Sequence, residues 1–219
     1  MAVPHLGGRS LEGGEEGSSR DRILQSARTL FARQGYENAT TSAIARNAGT
    51  SESQLIKHFG SKEGLLEEIF DQGWLRMGPA VRELLAQDIS PLDKLHGVTE
   101  LMIAAFEQDE ELRSLMLLEG RRIRKHGHMV VLTRGFTRMV DVIDGLLLAM
   151  RDAGQLRPDL HLQAVRSALV GVFEGLLRDQ LLAERVGYPA GYSGSELRAA
   201  FTAALTGFLA GRPAERGAV

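Results

Sequence analysis

A chain of 219 residues, 43% hydrophobic and 25% charged, is long enough for one ordinary core or two small ones sharing a helix. Its longest apolar run, 145–150, falls far short of the roughly 18 residues of a membrane span, and no basic-then-apolar leader opens the sequence, so a soluble cytoplasmic protein is expected. The absence of cysteine excludes disulfides, thiolate zinc sites and cysteine nucleophiles together.

A net charge of -2 looks unsuited to a nucleic-acid partner until it is counted by segment. From Arg20 to Lys62, seven basic residues (Arg20, Arg22, Arg28, Arg33, Arg46, Lys57, Lys62) stand against three acidic ones (Asp21, Glu37, Glu52), a net of +4, so the remainder is acidic. A basic head on an acidic body allows phosphate contact at one end, although a series of solvated helix faces gives the same count.

Residues 1–19 are rich in glycine and serine, hold little that anchors a core, and are expected to form a disordered arm. Helical periodicity then begins abruptly. Ile23, Leu24, Ala27, Leu30 and Phe31 form one stripe of a first helix that Gly35 can close. Thr41 opens a short second helix with Ile44, Ala45 and Ala48 inward, and Gly49 supplies the positive-φ turn behind it. Ser51 with Gln54 three residues on is a capping-box pattern for a third helix running through Leu55, Ile56 and Phe59 to Gly60. Two short helices about a glycine turn are the expected form of a helix-turn-helix. Ser61 caps a fourth helix with Leu65, Leu66, Ile69, Phe70, Trp74 and Met77 along its buried side, kinked or interrupted at Pro79.

Further amphipathic segments follow at 91–108, 109–125, 128–152, 159–184 and 195–211, and none alternates like a strand. The fold expected is therefore all-α. Met102, Met116, Met129, Met139 and Met150 lie mid-body with Phe106 and Phe136, a composition that suits an adaptable pocket lining and plain core filling alike. His126 and His128 flank Gly127; two residues apart on a helix they diverge, which reads as a helix junction and not a metal site. Asp141 and Asp144 stand at helical spacings from Arg134 and Arg138, as surface ion pairs do. The apolar stripes Leu162, Val165, Leu169, Phe173, Leu176 and Leu197, Phe201, Leu205, Phe208 suit an intramolecular core or an interface between two copies.

Over residues 22–68, the stretches RILQSARTLFARQGYENATT, IARNAG and SESQLIKHFGSKEGLL resemble the DNA-binding domain of the TetR family in spacing and residue type. The C-terminal part resembles it only in helix number and length. The resemblance implies a three-helix helix-turn-helix domain at 20–66, a larger helical ligand-binding and dimerisation domain at 67–211, and a tail at 212–219. It implies a homodimer joined through the last two helices, a double-stranded operator as partner, and a small-molecule effector contacted by Trp74, Met102, Phe106, Met116, Phe136, Met139 and Phe173. Ile56 departs from the family, which usually carries an aromatic, commonly tyrosine, in mid-recognition helix. A phosphate-touching hydroxyl is lost there, and a thymine methyl or a sugar is the alternative contact.

A helix fits the major groove with residues near its N-terminus at base edges, where Ser53, Gln54 and Lys57 stand. Gln54 can pair with adenine, or serve only its capping box. Lys57 can donate to guanine. Thr40 and Thr41, His58 and Lys62 are placed for phosphate oxygens, with capping at Thr41 and packing of the His58 ring as the plainer roles. No nucleophile–base–orienter set, phosphate-cradling glycine loop or metal motif points to catalysis, and no cofactor is expected. The reading is a ligand-responsive DNA-binding regulator, with a helical protein-interaction adaptor, or an enzyme acting on an apolar compound, as the alternatives.

Overall fold

In a computed structural model, which describes residues 18–118 and 133–209, the chain is a succession of capped helices. The candidate residues His126 and His128, together with Met129 and the 212–219 tail, lie outside the described residues. Ser18 accepts a hydrogen bond from the Asp21 backbone N–H at 3.2 Å and starts α1 (Ser19–Gln34), inside the stretch expected to be arm. Thr40, not Thr41, caps α2 (Thr41–Asn47), accepting from Ala43 N–H at 3.1 Å. Ser51 caps α3 (Glu52–Phe59) and Ser61 caps α4 (Lys62–Leu85), each satisfying a backbone donor that a helix start leaves unpaired. Gly49 (φ 64°) and Gly60 (φ 75°) make the left-handed turns on either side of α3, a conformation that a Cβ penalises.

The remaining described helices are α5 (Pro91–Gln108), α6 (Glu110–Leu118), α7 (Arg134–Asp152), α8 (Leu162–Val186) and α9 (Gly194–Thr206). Pro79 does not interrupt α4. The ring removes one backbone donor, but Met77 and Val81 on either side of it are buried in the body, and this packing carries the helix on to Leu85.

Two apolar clusters form, and the head cluster runs past the boundary expected at residue 66. The head cluster is centred on Ile23, Phe31, Ile44 and Leu55, but also takes Ile69 and Phe70 from α4 and Leu112 and Leu115 from α6. Met77 and Val81 of the same α4 belong to the body cluster with Ile103, Leu147 and Met150. At roughly 1.5–3 kcal/mol per fully buried large side chain, each end of α4 is tied to its own core. Charge reinforces the joint: Arg28 of α1 pairs with Asp109 and, at 3.2 Å, with Glu111, while Asp109 also accepts from Leu112 N–H at 3.0 Å, starting α6.

Inside the body, Asp144 pairs with Arg166 of α8, a tertiary partner in place of the same-helix arginines expected for it. Leu162, Leu176 and Phe208 of the α8 and α9 stripes are half-buried, whereas Val165, Leu169, Phe173, Leu197, Phe201 and Leu205 are buried within one chain. They cannot be the face offered to a second copy. The 187–193 connection is pinned by the Tyr192 hydroxyl, which donates to Leu176 O at 2.5 Å, and by Gln180 donating to Tyr192 O at 3.1 Å. A capping box closes the start of α9, where bonds from the Ser193 backbone and hydroxyl hold the Glu196 carboxyl below the usual carboxylate range.

Helices α4 and α7 approach each other closely. Gly135 N–H donates to the Asp71 carboxylate at 2.7 Å, and a Cβ on Gly135 would lie 2.5 Å from Trp74 Cβ. A backbone-proximal atom cannot swing aside as a side-chain tip does. Gly135→Ala is therefore expected to force α4 and α7 apart and to lower the unfolding free energy by about 1–3 kcal/mol, read as a lower urea midpoint.

Candidate functional site

The head presents one polar face. On α3, Leu55 is wholly buried and Phe59 half-buried, whereas Ser53, Gln54, Ile56, Lys57 and His58 are all exposed. The capping box is half made: Ser51 Oγ accepts from Gln54 N–H at 3.3 Å, but the Gln54 side chain does not return to the Ser51 backbone. Its amide thus stays on the open face. The His58 ring stands on the surface with its centroid 6.1 Å from that of Phe59, so it is not a packed core imidazole.

Two residues expected at phosphates are occupied within the protein. Thr41 donates its hydroxyl to the Glu52 carboxylate, tying the start of α2 to the start of α3. The Lys62 ammonium donates to the carbonyls of Tyr36 at 2.9 Å, Ala39 at 3.1 Å and Glu37 at 3.5 Å, and stands 4.3 Å from the centre of the Tyr36 ring. An ammonium has three protons, and here all three face the α1–α2 connection. A phosphate contact by Lys62 would have to compete with these carbonyls. Its position at the first residue of α4 brings it beneath a loop whose carbonyls have no helix to satisfy them. Thr40 remains on the surface, its hydroxyl oxygen accepting from Ala43.

Sequence patterns did not reveal the residues that lock this head. Tyr36 is 5% exposed and donates its hydroxyl to Glu63 at 2.9 Å. Ser26 donates to Ile44 O at 2.8 Å and accepts from Asn47, tying α1 to α2. Arg22 donates to Ala48 O at 3.2 Å, just ahead of the Gly49 turn. None of these partners lies at a helical spacing.

In the body a cavity of about 430 Å³ opens among α4, α5, α6, α7, α8 and α9. All seven residues expected around an effector, Trp74, Met102, Phe106, Met116, Phe136, Met139 and Phe173, stand in its wall, with the Trp74 and Phe136 rings edge to face at 6.2 Å between centroids. Met150 does not line it and is core filling. Polar groups on the wall, which sequence reasoning missed, are Thr99, Thr133 and Glu174. The Thr99 hydroxyl donates to Leu95 O at 3.0 Å, and Thr133 accepts from Phe136 N–H at 3.2 Å as the cap of α7. Such a cavity can hold a largely apolar molecule and orient it by a few polar contacts.

Residues 23–69 match the family model described as bacterial regulatory proteins, tetR family. The HTH-type transcriptional repressor KstR2 of Mycolicibacterium smegmatis is 32% identical over 68% of this chain and 72% of its own length. The chain belongs to the TetR family. A second relative, the HTH-type transcriptional repressor AcnR of Corynebacterium glutamicum, is 26% identical over 73% of this chain and 80% of its own. Among solved structures, a tetR family transcription regulator from Shewanella superposes with a TM-score of 0.71 at 18% identity, over 89% of this chain and 100% of that one. FadR from Bacillus subtilis, solved with stearoyl-CoA, gives 0.68 at 18% identity, over 84% and 95%. At such identities the superpositions establish the shared helical fold. As a TetR-family chain, this protein is a ligand-responsive, DNA-binding transcriptional regulator.

In this TetR-family chain the cavity and the head touch directly. Phe70 is buried in the head cluster and also lines the cavity, and Met116 packs against both clusters and lines it too. No helix among the described residues is long and apolar enough to cross a membrane. Lys62→Met is expected to lower stability by about 1–3 kcal/mol, because carbonyls of the α1–α2 connection lose their donors. The salt slope of DNA binding should stay unchanged, whereas a phosphate-bound ammonium would make it shallower by about one.

Proposed function

We propose that this chain is a homodimeric repressor that grips a pseudo-palindromic operator with α3 and leaves it when a small, largely apolar effector fills the body cavity. The observation that carries this reading is the double membership of Phe70 and Met116, which stand in the cavity wall and against the head core at once. An effector that displaces either side chain moves atoms on which the position of α3 depends. By linkage, a ligand that favours a body shape with wrongly spaced heads must be bound less tightly by the operator complex.

On the operator, Ser53, Gln54 and Lys57 serve as base readers and Ile56 as an apolar contact, while Thr40 and His58 meet phosphates and so set register. Thr41 and Lys62 hold the reading helix in place from behind. In the body, Trp74, Met102, Phe106, Met116, Phe136, Met139 and Phe173 form the apolar contact surface for the effector. The names of similar proteins, a ketosteroid regulator and a FadR bound to stearoyl-CoA, make steroid-like and long-chain acyl compounds the first classes to screen. The dimer face is assigned to the small exposed residues of α8 and α9, among them Ala164, Ser167, Gly171, Ala199 and Ala203, which permit close helix approach once the large residues are turned inward. A cytoplasmic site of action follows from the operator partner.

The reading is tested by selecting operators from a random duplex pool and then titrating effectors. A two-fold symmetric sequence with steep salt dependence is the expected product; failure to enrich any duplex sinks the proposal. Gln54→Ala is expected to relax base preference at one position per half-site while leaving the salt slope as it was. Trp74 is the single tryptophan of the chain and lies in the cavity wall, so effector entry should change intrinsic fluorescence. The same compound should weaken operator affinity by about 5–150-fold, and Phe136→Ala should blunt both responses.

A further inference from the structure

Within residues 18–70 the large aliphatic side chains are buried or half-buried, with one exception. Ile23, Ile44, Leu55 and Leu65 are fully buried and Ile69 is 3% exposed, yet Ile56 is 45% exposed in the middle of α3. Helical geometry turns successive residues by roughly 100°. With Leu55 directed into the core, Ser53 and Lys57 point away from it, and Ile56 stands on their flank beside them. Single exposed apolar residues are common on protein surfaces and ordinarily need no explanation. Here the position decides: the side chain flanks the exposed Ser53 and Lys57, with Gln54 on the opposite flank, all of them hydrogen-bonding residues. It offers no donor and no acceptor.

In the major groove the base edges present hydrogen-bonding groups throughout, and one apolar group, the C5-methyl of thymine. Beside base-reading side chains an aliphatic group gains from burial against that methyl, whereas against a sugar it would read no base and at a phosphate it would strip water from charge without compensation. We infer that Ile56 is a specificity-determining residue that packs against the C5-methyl of a thymine in each operator half-site. The inference rests on the operator-binding reading given above and adds one base to it. Ile56 selects its base by shape and dryness, and the neighbouring Gln54 and Lys57 select theirs by hydrogen bonding.

Deoxyuridine in place of thymidine removes the methyl and leaves every hydrogen-bonding group unchanged. Each thymidine of the selected operator is replaced in turn, and affinities of the full-length protein and of Ile56→Ala are measured at fixed salt, with circular dichroism confirming that the variant is folded. One thymidine per half-site should show about a four-fold loss on substitution with the unaltered protein, the equivalent of burying one methyl group, about 0.8 kcal/mol. Ile56→Ala should bind the thymidine operator more weakly and show no loss at that position. If no position responds to loss of its methyl, or if the response survives in Ile56→Ala, the inference is overturned while operator binding stands. If the unaltered protein binds no duplex, the operator reading falls and this inference with it.

Discussion

The structure depends on α4 belonging to two cores at once. Its 24 residues span about 36 Å, with Leu65, Leu66 and Ile69 sealed into the head and Met77 and Val81 into the body. A helix so anchored at both ends cannot relax at one without consequence at the other, because close-packed interiors shift as units and do not deform freely. Uninterrupted passage through Pro79 matters for the same reason: a break there would have disconnected the two ends mechanically.

A second connection runs beside α4 and is made differently. Leu112 and Leu115 of α6 enter the head core, and Arg28 of α1 closes on Asp109 and Glu111 at the start of that helix. With side chains only 13% and 17% exposed, Arg28 and Asp109 form a partly buried pair, and losing one partner would strand the other's charge. The apolar part of the joint is indifferent to small displacements, whereas the ion pair is directional.

The cavity and the reading face use opposite chemistry for related ends. The cavity wall combines flexible methionines and rigid aromatic rings, with Thr99, Thr133 and Glu174 as its polar marks. On α3 the exposed residues are mostly hydrogen-bonding ones, with Ile56 as the apolar mark.

Much of this protein was legible in the sequence because it rests on local rules. Apolar spacing located the stripes of α1 and α4, Gly49 and Gly60 marked the turns about α3, and the start and end of α5 coincided with the amphipathic segment at 91–108. The seven residues expected around an effector all stand in one cavity wall, on the sides that their helices turn toward the body interior. What spacing could not decide were contacts between positions far apart in the chain. Lys62 is a cation at a helix start in any sequence pattern, and only the convergence of the 36, 37 and 39 carbonyls turns its charge inward. The stripes of α8 and α9 fit a core and an interface equally well on periodicity, and only the packing of Phe106, Phe173 and Phe201 against one another places them inside a single chain. The sequence by itself determined which residues seek burial and where helices begin and end, since these follow from side chains within a few positions of one another. The tertiary structure alone decided which buried faces meet, which charges find partners and that one cavity borders both cores, since those free energies depend on distances the linear order does not contain.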